Sequence, residues 1–172
     1  GNAISENTLP QNEKSLYLGM EAKLFRSLTF SVYLDQYKFD WMKFGVSAPS
    51  RGRDIFAQLN YTPNKKLDIY FRFRHRTKFE NSTEDNFYSY LVPYVQYNYR
   101  YNLSAQITPE IKFKSRIEYT HVDKTYGNDE DGVAFVQDVV YKKLKFPFTF
   151  TLRYALFDTQ GYDSRVYVYE ND

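Results

Sequence analysis

Four cations occupy every second position of one short run, Arg72, Arg74, Arg76 and Lys78, within KLDIYFRFRHRTKF at 66–79. A β-strand would place all four on one face, because successive side chains point to opposite sides of the strand. Guanidinium groups suit the planar geometry of carboxylates and phosphates. A row of them therefore either attracts anions or is answered by acids on neighbouring strands. A second basic row, Lys112, Lys114 and Arg116, lies further along, and Tyr88, Tyr90 and Tyr94 fall between the two at matching parity. Together they would make a basic, tyrosine-rich surface for anions or glycans, or a filled interior salted by Glu21, Asp35, Glu118 and Asp138.

Other candidate chemistry is thinner. GNDEDG at 127–132 clusters acids that could hold Ca²⁺, but it lacks the ligand order of an EF-hand loop, and a solvated external loop is much the better reading. NST at 81–83 matches a glycosylation acceptor, a triplet that chance supplies more often than not. A serine or aspartate paired with His75 or His121 could build a hydrolase, yet no acid stands at a fixed spacing from either ring. Two imidazoles and no cysteine make a metal site unexpected, and no cofactor motif is present.

Alternating hydrophobicity bounded by turn residues marks about nine strands, at 15–24, 28–39, 53–61, 67–79, 86–106, 111–122, 133–142, 148–157 and 164–170. Residues 1–14 form a polar N-terminal segment, and Gly1-Asn2-Ala3 has none of the features of a signal peptide. Connections alternate in kind. Brief ones at 25–27, 62–66, 108–110 and 143–147 separate longer polar ones at 40–52, 80–85, 123–132 and 158–163. In an up-and-down meander that places short turns at one end and long loops at the other, as in outer-membrane barrels. Pro93 interrupts the longest strand, where a bulge or a projecting outer third is expected.

One face of each strand is nearly free of charge: Leu16, Leu18, Met20 and Leu24, then Phe30, Val32 and Leu34, then Ile69, Phe71 and Phe73, and later Phe150, Leu152 and Leu156. Residues 133–142 fit neither parity, because Gln137 and Asp138 are adjacent. The aromatic content, 18 Tyr and 15 Phe, favours strands. A net charge of +2 argues against bulk nucleic-acid binding. No run approaches the ~20 apolar residues of a membrane helix, but a barrel strand needs only roughly 9–11 residues. Aromatics toward strand ends, and both histidines on apolar faces near long connections, favour lipid outside and the arginines inside. The expected fold is all-β, an antiparallel meander forming a transmembrane β-barrel or a large part of one.

The terminal stretch LRYALFDTQGYDSRVYVYEND, residues 152–172, resembles a segment near the carboxyl end of a family of large Gram-negative outer-membrane proteins that carry a helix-hairpin-helix upstream of a β-barrel. In that family further strands follow the YEND element. The resemblance therefore implies a larger barrel in the bacterial outer membrane, with outer-membrane lipid and other envelope proteins as partners and no catalytic residues. The helix-hairpin-helix itself has no counterpart here, so no nucleic-acid partner is expected of this segment. The expected function is a porin-like channel or an envelope scaffold, not an enzyme. A soluble lipocalin-like barrel with an apolar ligand, and an outer-membrane hydrolase, are the alternatives.

Overall fold

The computed structural model describes residues 12–43, 45–82, 90–125 and 127–168. Eight antiparallel strands form one sheet in strict chain order: β1 (Glu13–Phe25), β2 (Leu28–Phe39), β3 (Ser50–Asn64), β4 (Leu67–Asn81), β5 (Leu91–Gln106), β6 (Ile111–Lys124), β7 (Glu130–Lys142) and β8 (Thr149–Thr159). Every strand pairs with its sequence neighbours, and β1 and β8 have no outer partner among the described residues. The sheet is an up-and-down meander.

Its register is staggered. Following the pairing outward from Leu28, the first residue of β2, the level residues are Tyr61, Ile69, Leu103, Ser115, Gln137 and finally Tyr154. Tyr154 lies five residues into β8, which begins at Thr149. Each hairpin is thus displaced along the strands relative to the one before. That progressive offset is the stagger a sheet needs in order to tilt and curl. Side chains from β1 through β6 line one cavity on the polar face, so the sheet curves around that face.

The polar face buries charged side chains as well as Phe39, Val122 and Ala134, while the other face exposes large apolar ones. Asp54, Glu118, Thr120 and Asp138 are each no more than 5% exposed. On the other face Leu16, Leu18, Met20, Phe71 and Leu152 are 48–73% exposed. Buried charges are tolerated because they are paired across strands, as shown below. Among the described residues no helix is long and apolar enough to cross a membrane, which has no bearing on strands.

Four expectations need correction. The ninth strand does not form: Ser164 lies in a turn and 165–168 join no ladder, while the rest of 164–170 falls outside the described residues. The turn at 125–129 is five residues, shorter than the six of 143–148, because β6 and β7 themselves run on into the stretch read as a long loop. Of the two outcomes expected at Pro93, the bulge does not occur. Pro93 sits opposite Phe79 in an unbroken β4–β5 ladder, and pairing with β6 starts only at Tyr94, so a missing donor on that side costs nothing. The strand read as 86–106 begins at Leu91, with 83–89 outside the described residues.

The parity of β7 is settled by its neighbour. Asp138 is level with Arg153 of β8 and turns to the polar face, which puts Gln137 outside, level with Tyr154. At the long-connection end of the β1–β2 pair, Lys14 and Lys38 stand directly opposite each other. Their repulsion is answered by Asp40, 2.5 Å from Lys14 and 2.7 Å from Lys38. Those two hydrogen bonds hold the Asp40 carboxyl down at about 2.

Candidate functional site

Arg72, Arg74 and Arg76 point into one cavity of about 930 Å³, which also holds Tyr17, Tyr33, Phe56, Gln96, Asn98, Arg100 and Glu118. Strand pairing explains the grouping. Glu21, Ser31, Gln58, Arg72, Arg100 and Glu118 are level across β1 to β6 and therefore share a face.

Acids answer some of these cations. Asp54 accepts two hydrogen bonds from Arg74 Nε at 3.0 Å and a further one from its Nη2. Glu118 accepts from Arg100 Nε at 2.7 Å and Nη2 at 2.9 Å, and from Asn98 Nδ2 at 2.9 Å. Asp138 accepts from Arg153 Nε at 2.6 Å and Nη2 at 2.8 Å. Two of the four acids expected to salt the interior, Glu118 and Asp138, thus hold arginines. Asp54 was missed because, flanked by Arg53 and Ile55, it gives no local sign that Arg74, twenty residues on and level with Phe56, reaches diagonally back to it from the next strand.

Arg72 is treated differently. Its Nε donates to the neutral Gln58 Oε1 at 2.8 Å, and its guanidinium lies 5.3 Å from the ring centres of both Phe56 and Tyr70. It ion-pairs with no carboxylate among the described residues. Arg76 reaches Asp54 only at 3.7 Å, and its Nε is buried with no hydrogen-bond partner among the described residues.

The rest of the expected basic band is not continuous with this cavity. Lys114 and Arg116 face a separate space of about 190 Å³ together with Asp138 and Arg153. Lys112 stands nearer the short-turn end, level with Val140. Lys78 pairs with Glu80 at 2.6 Å and sits over the Tyr94 ring at 4.3 Å. Tyr94 is 7% exposed and lines a third cavity toward the long connections. Tyr90 precedes β5 and is exposed, and Tyr88 lies outside the described residues.

The segment 160–168, part of it read from sequence as a strand, instead runs inside the curve of the sheet. Ser164 is wholly buried, while Arg165 and Tyr167 project into the large cavity and Val168 into the small one. Gly132 permits the approach, since a Cβ there would lie 1.9 Å from the Ser164 carbonyl oxygen. Glu130, the first residue of β7, anchors the segment: its carboxylate accepts from the Asp163 and Ser164 amides at 3.1 and 3.2 Å. Lys124 joins Glu130 at 2.5 Å to Asp163 at 2.7 Å.

Glu130→Gln is expected to loosen the segment at neutral pH, and trypsin should cut after Arg165 about tenfold faster than in the parent, the effect of losing ~1.4 kcal/mol from a charge-assisted bond. Unchanged cleavage would mean that other contacts hold the segment.

Strand alternation also disperses the acids of 127–132. Asp129 accepts the Lys124 amide at 3.2 Å, Glu130 turns inward, and Asp131 turns outward to the Tyr119 hydroxyl at 2.6 Å and His121 Nδ1 at 2.8 Å. No group of three or more metal-ligating side chains occurs among the described residues. Asn81 of the NST triplet accepts from the Ser47 amide and hydroxyl, both at 2.9 Å. His75 and His121 flank Tyr97 on the outer face, with ring centres 4.8 and 6.2 Å from it. Neither histidine hydrogen-bonds a hydroxyl nucleophile among the described residues.

Compared with known proteins, the chain matches no family model, no curated protein and no solved structure.

Proposed function

We propose that the chain is a transmembrane β-barrel of a bacterial outer membrane, or a large part of one. It acts as a channel or as an envelope scaffold around a polar, basic interior. One observation carries this: one face of the sheet buries Asp54, Glu118 and Asp138 in ion pairs, while the other exposes Leu16, Leu18, Phe71, Phe150 and Leu152. A soluble lipocalin-like barrel requires the opposite arrangement, with the apolar set inside. Lipid on the outer face explains it directly, and from Leu67 to Phe79 β4 would rise ~30 Å at a tilt of ~40°, enough to cross a hydrocarbon band of roughly 25 Å.

Further support comes from three sides. The staggered register suits a tilted barrel wall. His75, Tyr97 and His121, with Tyr99 and Tyr119 beside them, make an aromatic row of the kind that sits at a membrane interface. The long, apolar edges of β1 and β8 call for continuation of the sheet by further strands, since open edges of this length invite aggregation. That continuation also agrees with the resemblance of residues 152–172 to larger outer-membrane barrels. Lipid and other envelope proteins are then the partners, and nothing in the site calls for nucleic acid. The inner segment 160–168 favours a scaffold or a gated channel over an open pore.

The test is purification with and without detergent, followed by electrophoresis of unheated and boiled samples. Aggregation without detergent and a mobility shift on boiling are expected. A chain that is soluble, monomeric and heat-insensitive would contradict the proposal.

A further inference from the structure

The large cavity has an imbalance that the ion pairs do not remove. Arg74 is matched by Asp54 and Arg100 by Glu118. Arg72, Arg76 and Arg165 face the same space without a hydrogen-bonded carboxylate: Arg76 nears Asp54 only at 3.7 Å, and the other acid of the lining, Glu21, accepts from the Ser31 hydroxyl at 3.5 Å. Arg72 has a neutral amide, Arg76 keeps a bare buried Nε, and Arg165 rests 3.9 Å over the ring of Tyr162 with no carboxylate among the described residues. Cations sharing a cavity repel one another, and the arrangement is stable when an anion lies between them. One wall is flat: the rings of Tyr33 and Phe56 stack with centres 4.8 Å apart and planes 5° from parallel. At about 930 Å³ the space is of the size that holds small organic ligands.

We propose that this cavity binds a multiply charged oxyanion of the phosphate or polycarboxylate class. Arg72 and Arg76 from β4 engage it from one side and Arg165 from the inner segment closes over it, with the Tyr33–Phe56 pair available to stack a flat group. The ligand bridges wall and segment, so occupancy holds 160–168 in place. The proposal deepens the reading of the polar face as a barrel interior and rests on it for access.

The experiment is calorimetric titration of the detergent-purified full chain at low ionic strength, with inorganic pyrophosphate and with citrate as probes. Saturable binding of either is expected, and a preference between them assigns phosphate or carboxylate as the recognised group. Arg72→Gln and Arg165→Gln should each weaken binding about tenfold, as loss of a charge-assisted bidentate contact does. Lys65→Gln, in the exposed β3–β4 turn, should leave it unchanged. Arg165 projects from a segment outside the ladder, so its variant reports on the site without disturbing the sheet. Absence of binding by both probes, or binding that Arg165→Gln leaves unchanged, would overturn the proposal. The boiling shift is read on the same samples. A heat-modifiable chain that binds neither probe loses the site alone, and a soluble chain that binds keeps the site while the membrane reading fails.

Discussion

An arginine in place of Phe73 is expected to destabilise the folded chain in a lipid bilayer by about 2–4 kcal/mol, the cost of a cation near the midplane on the lipid face of a barrel. Phe73 is near the middle of β4, level with Ala57 and Tyr99, and its ring lies 5.2 Å from that of Tyr99. Losing that ring contact accounts for part of any change, so Phe73→Leu is the reference. Leu67→Arg, at the first residue of β4 beside the Lys65–Lys66 turn, should cost only about 0–1 kcal/mol, since cations are accepted at the interface. Urea titration of the chain folded into vesicles measures all three. If water bathed this face, the two arginines would differ little and each would stay near the small effects of surface substitutions.

The second large effect lies on the opposite face. Glu118 is 5% exposed and receives three hydrogen bonds, two from Arg100 and one from Asn98. Glu118→Ala removes the acceptor while Arg100, its side chain 20% exposed, stays half-buried and charged, and is expected to cost about 3 kcal/mol, the lower end for breaking a buried pair. Asn98 keeps Thr120 as a partner at 2.9 Å, so most of the loss belongs to the arginine. Replacing both partners, Arg100→Met with Glu118→Leu, should recover most of the stability, because a buried pair is dear to break and cheap to replace. Unfolding midpoints of the two variants decide this. A small effect of Glu118→Ala would mean that water reaches Arg100 freely.

The sequence was most legible where the pattern is local. In β4 the alternation from Ile69 to Lys78 names the arginine face without help from any other strand. It was least legible where a residue is placed by a distant partner. Gln137 and Asp138 are both polar, and only Arg153, one hairpin away, draws Asp138 inward. Residues 164–168 alternate like a strand, yet alternation records two different surroundings and not a hydrogen-bonded neighbour. Here Ser164 is buried against Gly132 of the sheet, Arg165 and Tyr167 look into the large cavity and Val168 into the small one. His121 looked unpaired for the same reason, since Asp131 reaches it across the β6–β7 turn. The basic band split because Lys114 and Arg116 belong to lower rows of a staggered sheet, and stagger leaves no trace in composition.

The chain has no cysteine, so a single introduced one is a unique site for a fluorophore. The most direct measurement labels Phe71→Cys and Gln96→Cys in turn, reconstitutes each into bilayers containing brominated lipid, and compares quenching. Position 71 should be strongly quenched by lipid and spared by an aqueous quencher, with position 96 spared by lipid. Lipid quenching at 96 with water access at 71, or no lipid quenching at either, would contradict the assignment of the apolar face to the membrane.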